Sequence, residues 1–445
     1  MSTSSTGSFT AALLACGAAV LLLCAAPLFI ADGDASVAGV LPYALAFAPY
    51  LHLLSRLARP GGAAGRGEEK ALHLRLIVLF ALLMTAVSVL APAVLEDDMY
   101  RYVWDGRVLA SGVNPYAHAP DSFALRALRD EAVYPNINYP YVPTIYPPAA
   151  QLVFAAVYKA AGSGLTAFKA VFAAFHLATV PVVVRLLDRL AMDRRLVVAY
   201  AWNPLVLKEA AGSGHVDTLA VFLLTASLLL LIEGRALRAA VLYGLAVGAK
   251  LFALALLPLY VKRTGLRGTA AAGATLALLY LPFTATAPAV LSPFEGLITY
   301  FEHWLFNPGP FDAVRLALTP FAADPYVAAR LVCAASVLAL SLYAAVRDDG
   351  RKATLVRGFF HVVAALVLLS PVVAPWYMLW FAPLLSLRPS RAWTALTALA
   401  LLSYVFTARG ADLPALRLLE FGIFAALLAG EGGFRRKGGL REGTG

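Results

Sequence analysis

Twenty consecutive residues, Leu76 to Leu95, carry no charge, and uncharged or nearly uncharged runs of this length recur along the whole chain. Each is enough to cross roughly 30 Å of hydrocarbon as a helix. Composition agrees: 61% of the 445 residues are hydrophobic and 14% charged, against about 25% charged in a soluble domain, and mean hydropathy is +0.75. The expected fold class is therefore all-α, a polytopic membrane helical bundle of about 13 to 14 spans.

The spans are expected near 9–31, 36–57, 72–92, 165–187, 196–210, 216–233, 237–250, 251–262, 267–285, 326–346, 355–372, 375–387, 391–407 and 413–430. A single membrane domain over 1–430 is followed by a basic tail, 431–445. The net charge of +10 sits mainly in short connectors such as RLARPGGAAGRGEEK, RLLDRLAMDRR, VKRTGLRG and RDDGRK and in the tail. That distribution sets orientation in a bilayer and does not point to nucleic acid. With the basic connectors in the cytoplasm, 58–70 and the tail lie inside, and two long loops, 93–146 and 286–324, lie outside. Segment 147–162, PPAAQLVFAAVYKAAG, is expected as a partial or re-entrant helix, because a full span would turn RLLDRLAMDRR outward.

Other signals are excluded. Cys16, Cys24 and Cys333 lie inside apolar runs, so no disulfide framework or metal site is readable from them. The run Phe9 to Ala31 is longer than a signal-peptide core and has no positive charge before it, so it reads as a retained first helix. GGAAGRG, at 61–67, lacks the strand and the Lys-Ser/Thr that a phosphate cradle needs.

The first outer loop holds the chemistry-bearing pattern. Directly behind the run ending at Leu95 stand Glu96, Asp97 and Asp98. Like charges that close repel, and desolvation beside lipid raises their pKa, so the triplet is costly unless cations, protons or a reaction use it. A helix is expected over 98–110, with Asp98, Arg101 and Asp105 on one side and Tyr102 and Trp104 anchoring at the headgroups. The second half, YPNINYPYVPTIYPP, alternates proline with aromatics and should be extended and stiff. The plain alternative is a solvated helix on which Arg101 and Arg107 pair with Asp98 and Asp105.

The strings DDMYRYVWDGRVLASGVNPYAHAP, NYPYVPTIYPP, WNPLVLKEAAGSGHVD, LYGLAVGAKLFALALLPLY and SPVVAPWYMLWFAPLL together resemble the GT-C fold polytopic glycosyltransferases. Within these the chain is similar to bacterial polyprenyl-phosphate-mannose-dependent mannosyltransferases. The likeness runs from about 70 to 390 and is specific in the first loop. It implies that an acidic residue of the first outer loop, Asp97 or Asp98, with Glu96 beside them, acts as catalytic base or binds a divalent metal, magnesium or manganese. It further implies a polyprenyl-phosphate sugar donor, a glycan or lipid acceptor, contact with membrane lipid, and a site on the outer face of the cytoplasmic membrane. A carboxylate would take the acceptor proton while a cation meets the departing phosphate, in one inverting displacement.

Lys250 is nominated for that cation, because it is the lone charge between Ala239 and Val261 and a straight span would bury it. Two short helices meeting at Lys250 would place it at a cavity instead; a buried structural pair is the competing reading. Arg101, Arg107 and Lys208 are further nominees, and Asp105 and Tyr146 complete the substrate-binding set in the loop. In KEAAGSGHVD, His215 and Asp217 offer acceptor or metal ligands, although Asp217 also suits a helix N-terminus. In the second outer loop Phe294, Tyr300, Phe301, Trp304 and Phe306 read as the lipid side of an interfacial helix, with Glu302 and His303 solvated. Trp376 and Tyr377 read as an aromatic belt. Two other classes remain, a transporter or lipid flippase and a noncatalytic membrane subunit. The first would favour ionisable groups at the midplane and repeated halves, and the second needs no such polar set.

Overall fold

The computed structural model describes residues 3–30, 37–59, 67–95, 97–410 and 413–437. These residues fold into helices without a strand, apart from a lone parallel bridge between Phe306 and Val372. Helices α1 (Thr3–Ala25), α2 (Leu41–Ala58) and α3 (Gly67–Leu90) form the first packed group, with α1 against both others. In α3, Glu68 and Glu69 occupy the first turn, where negative charge complements the helix dipole. The apolar run then continues until Pro92 forbids extension.

The loop between α3 and α5 (Pro148–Ala161) opens with α4 (Asp98–Ala110), at the bounds the spacing predicts. Helix α5 has 14 residues, about 21 Å, and falls short of the roughly 30 Å of a hydrocarbon core. After α6 (Leu165–Arg189) come the short α7 (Val198–Ala201) and α8 (Pro204–Leu207), a π-helical turn Lys208–Gly212, and α9 (Asp217–Ile232). The piece Pro204–Gly212 meets α9 at 118°. Helices α10 (Ala236–Ala249) and α11 (Leu257–Ala285) pack on one another, and α10 also lies on α9. Segment 286–324 supplies α12 (Ser292–His303) and α13 (Gly309–Leu318), and the rest of the bundle is α14 (Pro325–Val346), α15 (Lys352–Leu368), α16 (Ala382–Leu387), α17 (Arg391–Leu399), α18 (Tyr404–Arg409) and α19 (Pro414–Lys437).

Among the described residues six helical runs are long and apolar enough to cross a membrane alone: Ser8–Phe29, Gly67–Leu90, Leu165–Arg189, Leu251–Ala285, Pro325–Val346 and Arg391–Arg409. The bent pair Pro204–Gly212 with Asp217–Ile232 would make a seventh. Fourteen apolar segments in the sequence thus become fewer full-length helices, and glycine and proline account for much of the difference. The expected spans 251–262 and 267–285 join into one run kinked at Gly265, whose φ is +63°. The expected span 375–387 is a 3-10 turn from Pro375 followed by the six-residue α16. The start of the basic tail continues α19 to Lys437, and 438–445 lie outside the described residues.

The loop has a core of its own. Met99, Tyr102, Val103, Trp104 and Val108 of α4 are buried with Phe154 of α5 and Phe168 and Phe172 of α6. Tyr102 stacks on Phe154 at 4.8 Å. Tyr102 and Trp104 are therefore interior residues and not the headgroup anchors expected of them, because α4 lies across α5 and has protein to pack against. Gly106 makes that approach possible: a Cβ there would lie 2.5 Å from the Phe154 carbonyl oxygen.

Candidate active site

Helix α4 begins at the acids. Asp97 occupies the N-cap position and Asp98 the first turn. From across the loop Asn138 donates its amide to Oδ1 of both Asp97 and Asp98, each at 2.9 Å. Asp97 is exposed, and the side chain of Asp98 keeps 19% of its surface. The backbone on either side is unusual: Leu95 has φ +52° and Tyr139 φ +47°. Left-handed torsions in such residues cost about 1 to 3 kcal/mol each and cluster at functional sites. Glu96 lies outside the described residues.

The second contribution comes from the broken α8–α9 segment. Gly214 turns the chain with φ +71°, and a Cβ there would approach the Lys169 backbone to 3.0 Å, so glycine is required on both counts. The turn aims His215 at the acids: its Nδ1 lies 3.9 Å from Asp98 Oδ2 and 3.5 Å from the Tyr102 hydroxyl. Its Nε2 lies 3.3 Å from Glu209 Oε2, and its ring stacks on Trp376 at 4.3 Å. Behind it Glu209 accepts the Tyr404 hydroxyl at 2.8 Å and lies 3.4 Å from Lys208 Nζ, which also bonds Tyr404. Lys208 and Glu209 are fully buried, each compensated by the other and by Tyr404.

Two residues beyond His215, the buried Asp217 accepts Lys250 Nζ at 2.9 Å and the Trp380 indole N–H at 2.6 Å. Asp217 does sit in the first turn of α9, as a dipole role requires. Lys250 stands where α10 ends and a 3-10 turn, Leu251–Leu256, begins, so two short helices do meet at it. Its side chain keeps 18% of its surface, and its ammonium lies 5.7 Å from the Tyr146 ring centroid. Buried Tyr146 packs edge-on against Tyr102.

Helix α12 closes the side facing the loop. Tyr300 bonds Tyr377 through their hydroxyls at 2.6 Å, and Trp304 packs on Tyr139 at 4.5 Å. Burial pushes the Tyr300 hydroxyl up, and the charges of Asp98 and Asp217 add to the rise. Tyr139 is raised likewise, by burial first and then by Asp97. The lipid-side reading therefore fails for Tyr300 and Trp304, which face protein because the loop reaches over them; Phe301 is exposed, as are Glu302 and His303. Trp376 and Tyr377 are likewise walls of this polar cluster and not a belt.

The remaining nominees are placed elsewhere. Arg101 bonds Asp105 at 2.9 Å and the Val142 carbonyl at 3.0 Å, while Asp105 also takes Thr144 and Gln151. Arg107 bonds Asp130, Ser163 and the Leu128 carbonyl. Neither arginine pairs with Asp98. Among the described residues no group of three His, Cys, Asp or Glu side chains is placed to hold a metal ion, so no step is assigned to one. Sequence reasoning left Glu209, Asn138, Tyr404, Trp376 and Trp380 out of the site. Glu209 alone carried a signal, a charge inside the apolar stretch that offered Lys208 and His215.

Residues 6–264, more than half of the chain, match the family described as Alpha-(1->6)-mannopyranosyltransferase, N-terminal domain, and residues 321–431 match the MptB C-terminal domain. The chain is 29% identical over 371 residues to Alpha-(1->6)-mannopyranosyltransferase A of Mycobacterium tuberculosis (strain ATCC 25618 / H37Rv), with 76% of this chain and 69% of that relative covered. No solved structure matches.

Proposed function

This chain belongs to the alpha-(1->6)-mannopyranosyltransferase family of membrane mannosyltransferases, and from that premise we propose that it moves mannose from a polyprenyl-phosphate donor to a glycan or lipid acceptor. The observation that carries the reading is the convergence of Asp98, His215 and Lys250 from three separate segments on the break before α9. Transfer takes place on the outer face of the cytoplasmic membrane, and the helices from 1 to 430 work as one domain. Nucleotide sugars are absent outside the cytoplasm, so the sugar arrives on a lipid.

The acceptor hydroxyl oxygen attacks the anomeric carbon and forms the new C–O bond. The bond from that carbon to the phosphate oxygen breaks, and its electron pair leaves with polyprenyl phosphate. Asp98 takes the hydroxyl proton, since of the two acids it is the one beside His215, and Asp97 orients the acceptor. A carboxylate base placed in this way contributes about 10²- to 10⁴-fold. His215, with Glu209 behind it, holds Asp98 and gives the proton a place to go. Lys250, paired with Asp217 but with 18% of its side chain open, meets the charge that develops on the leaving phosphate; the other nominated cations are paired and more deeply buried. One displacement inverts the centre, so an α-linked product calls for a β-configured donor.

The test is purified protein with labelled mannosyl polyprenyl phosphate, with and without a mannoside acceptor. Polyprenyl phosphate released only with acceptor, together with a new α-1,6 linkage, is the expected result. Transfer from a nucleotide sugar, or none from the lipid donor, overturns the reading.

A further inference from the structure

A cavity between α3 and α6 lies apart from this site. It is a groove of about 720 Å³ between the two helices. Leu74, Val78 and Leu82 of α3 and Leu177, Pro181 and Val184 of α6 line it, and Arg185, Asp188 and Arg189 close one end. Pro181 cannot donate to the Leu177 carbonyl, which leaves that acceptor unpaired by the helix within the groove wall.

The charge at the closed end does not balance. Arg185 and Arg189 both bond the same oxygen of Glu233, at 2.8 and 2.7 Å, and Arg235 lies 3.7 Å from its other oxygen. Asp188 is engaged by Arg194. Three guanidiniums thus share one carboxylate. A guanidinium carries five N–H donors, and Arg185 spends only its Nε on Glu233. Arg185 and Arg189 remain about half exposed, at 53% and 45%. An apolar groove that follows α6 from Leu177 to Arg189, about 18 Å at the rise of a helix, ends at an open cationic fork.

We propose that this groove binds an anionic diacyl phospholipid, one chain between α3 and α6 and the phosphate on Arg185 and Arg189. The donor lipid does not fit here. Lys169 ties the other end of α6 to the Ala91 carbonyl, beside the acids, and Arg185 is sixteen residues further on, about 24 Å along a helix. A phosphate on Arg185 is out of reach of Asp98. The basic connectors that carry these arginines assign the groove to the cytoplasmic leaflet, where anionic headgroups attract basic side chains.

The experiment uses the full chain in phosphatidylcholine vesicles with spin-labelled phosphatidylglycerol or spin-labelled phosphatidylcholine, reading the motionally restricted fraction of each label. A preference for phosphatidylglycerol of roughly fivefold is expected, the size of one basic side chain's attraction to an anionic lipid. Arg185→Gln with Arg189→Gln should bring the preference close to unity while melting temperature stays within a few degrees. Leu82→Trp fills the groove from an exposed position, leaves every arginine in place, and should lower the preference too. Equal restriction of both labels in the unaltered protein overturns the proposal. So does a preference untouched by either variant, and so does displacement of labelled phosphatidylglycerol by polyprenyl phosphate, which would make the groove a donor site.

Discussion

Two sets of charges share the loop between α3 and α5, and they are treated in opposite ways. Arg101 and Asp105 are sealed: the arginine spans Asp105 and the Val142 carbonyl, and Asp105 has Thr144 and Gln151 besides. One turn earlier on the same helix, Asp97 and Asp98 receive a neutral amide from Asn138, and Asp98 faces an imidazole. Asp105 retains 2% of its surface and Asp98 19%. A buried charge is tolerated when its partners are complete. The first set therefore builds the loop, and the second keeps open surface. Strain follows the same division, since Leu95 and Tyr139 adopt left-handed torsions beside the second set.

The sharpest way to break this contrast is Arg101→Met. It leaves Asp105 buried without its cation, and the loss should be about 3 to 5 kcal/mol, read as a lower melting temperature. Turnover per folded molecule should stay close to normal; a loss of turnover at full stability would move Arg101 into the reacting set.

Lys250, at the end of α10, combines both treatments, being paired with Asp217 yet partly open. Lys250→Met should cost roughly 2 to 3 kcal/mol by stranding Asp217, less than a sealed pair because water reaches the ammonium. Adding Asp217→Asn should recover most of that stability. Donor use should remain low in the double variant, and its recovery would make the lysine purely structural. A smaller change is expected from Gly214→Ala, about 1 to 3 kcal/mol of backbone strain. It should also lower turnover by displacing His215, whereas Gly273→Ala, with open space around it, should do neither.

Much of this was legible in the sequence, and the unread part has a common cause. The apolar runs carried the all-helical class, and the bounds of α4 followed from the spacing of Asp98, Arg101 and Asp105. Lys250 was visible because a lone charge in a long apolar run demands an exit, and the exit is the break between α10 and the following turn. Partners were not visible. Glu209 meets Tyr404 across 195 positions and Asp217 meets Trp380 across 163. No local period encodes such contacts. The same blindness put Tyr102, Trp104, Tyr300 and Trp304 at the lipid surface: amphipathic spacing says which face is apolar, not whether lipid or protein covers it.

In the proposed reaction the Asp98 carboxylate takes part while the Arg101–Asp105 pair only supports the loop. Asp98→Asn tests it most directly, with melting temperature and turnover of labelled mannosyl polyprenyl phosphate measured on one preparation. Melting temperature should be unchanged, with turnover down by about 10²- to 10⁴-fold. Near-normal turnover in a folded Asp98→Asn protein, or turnover that falls only as fast as the folded fraction, would contradict it.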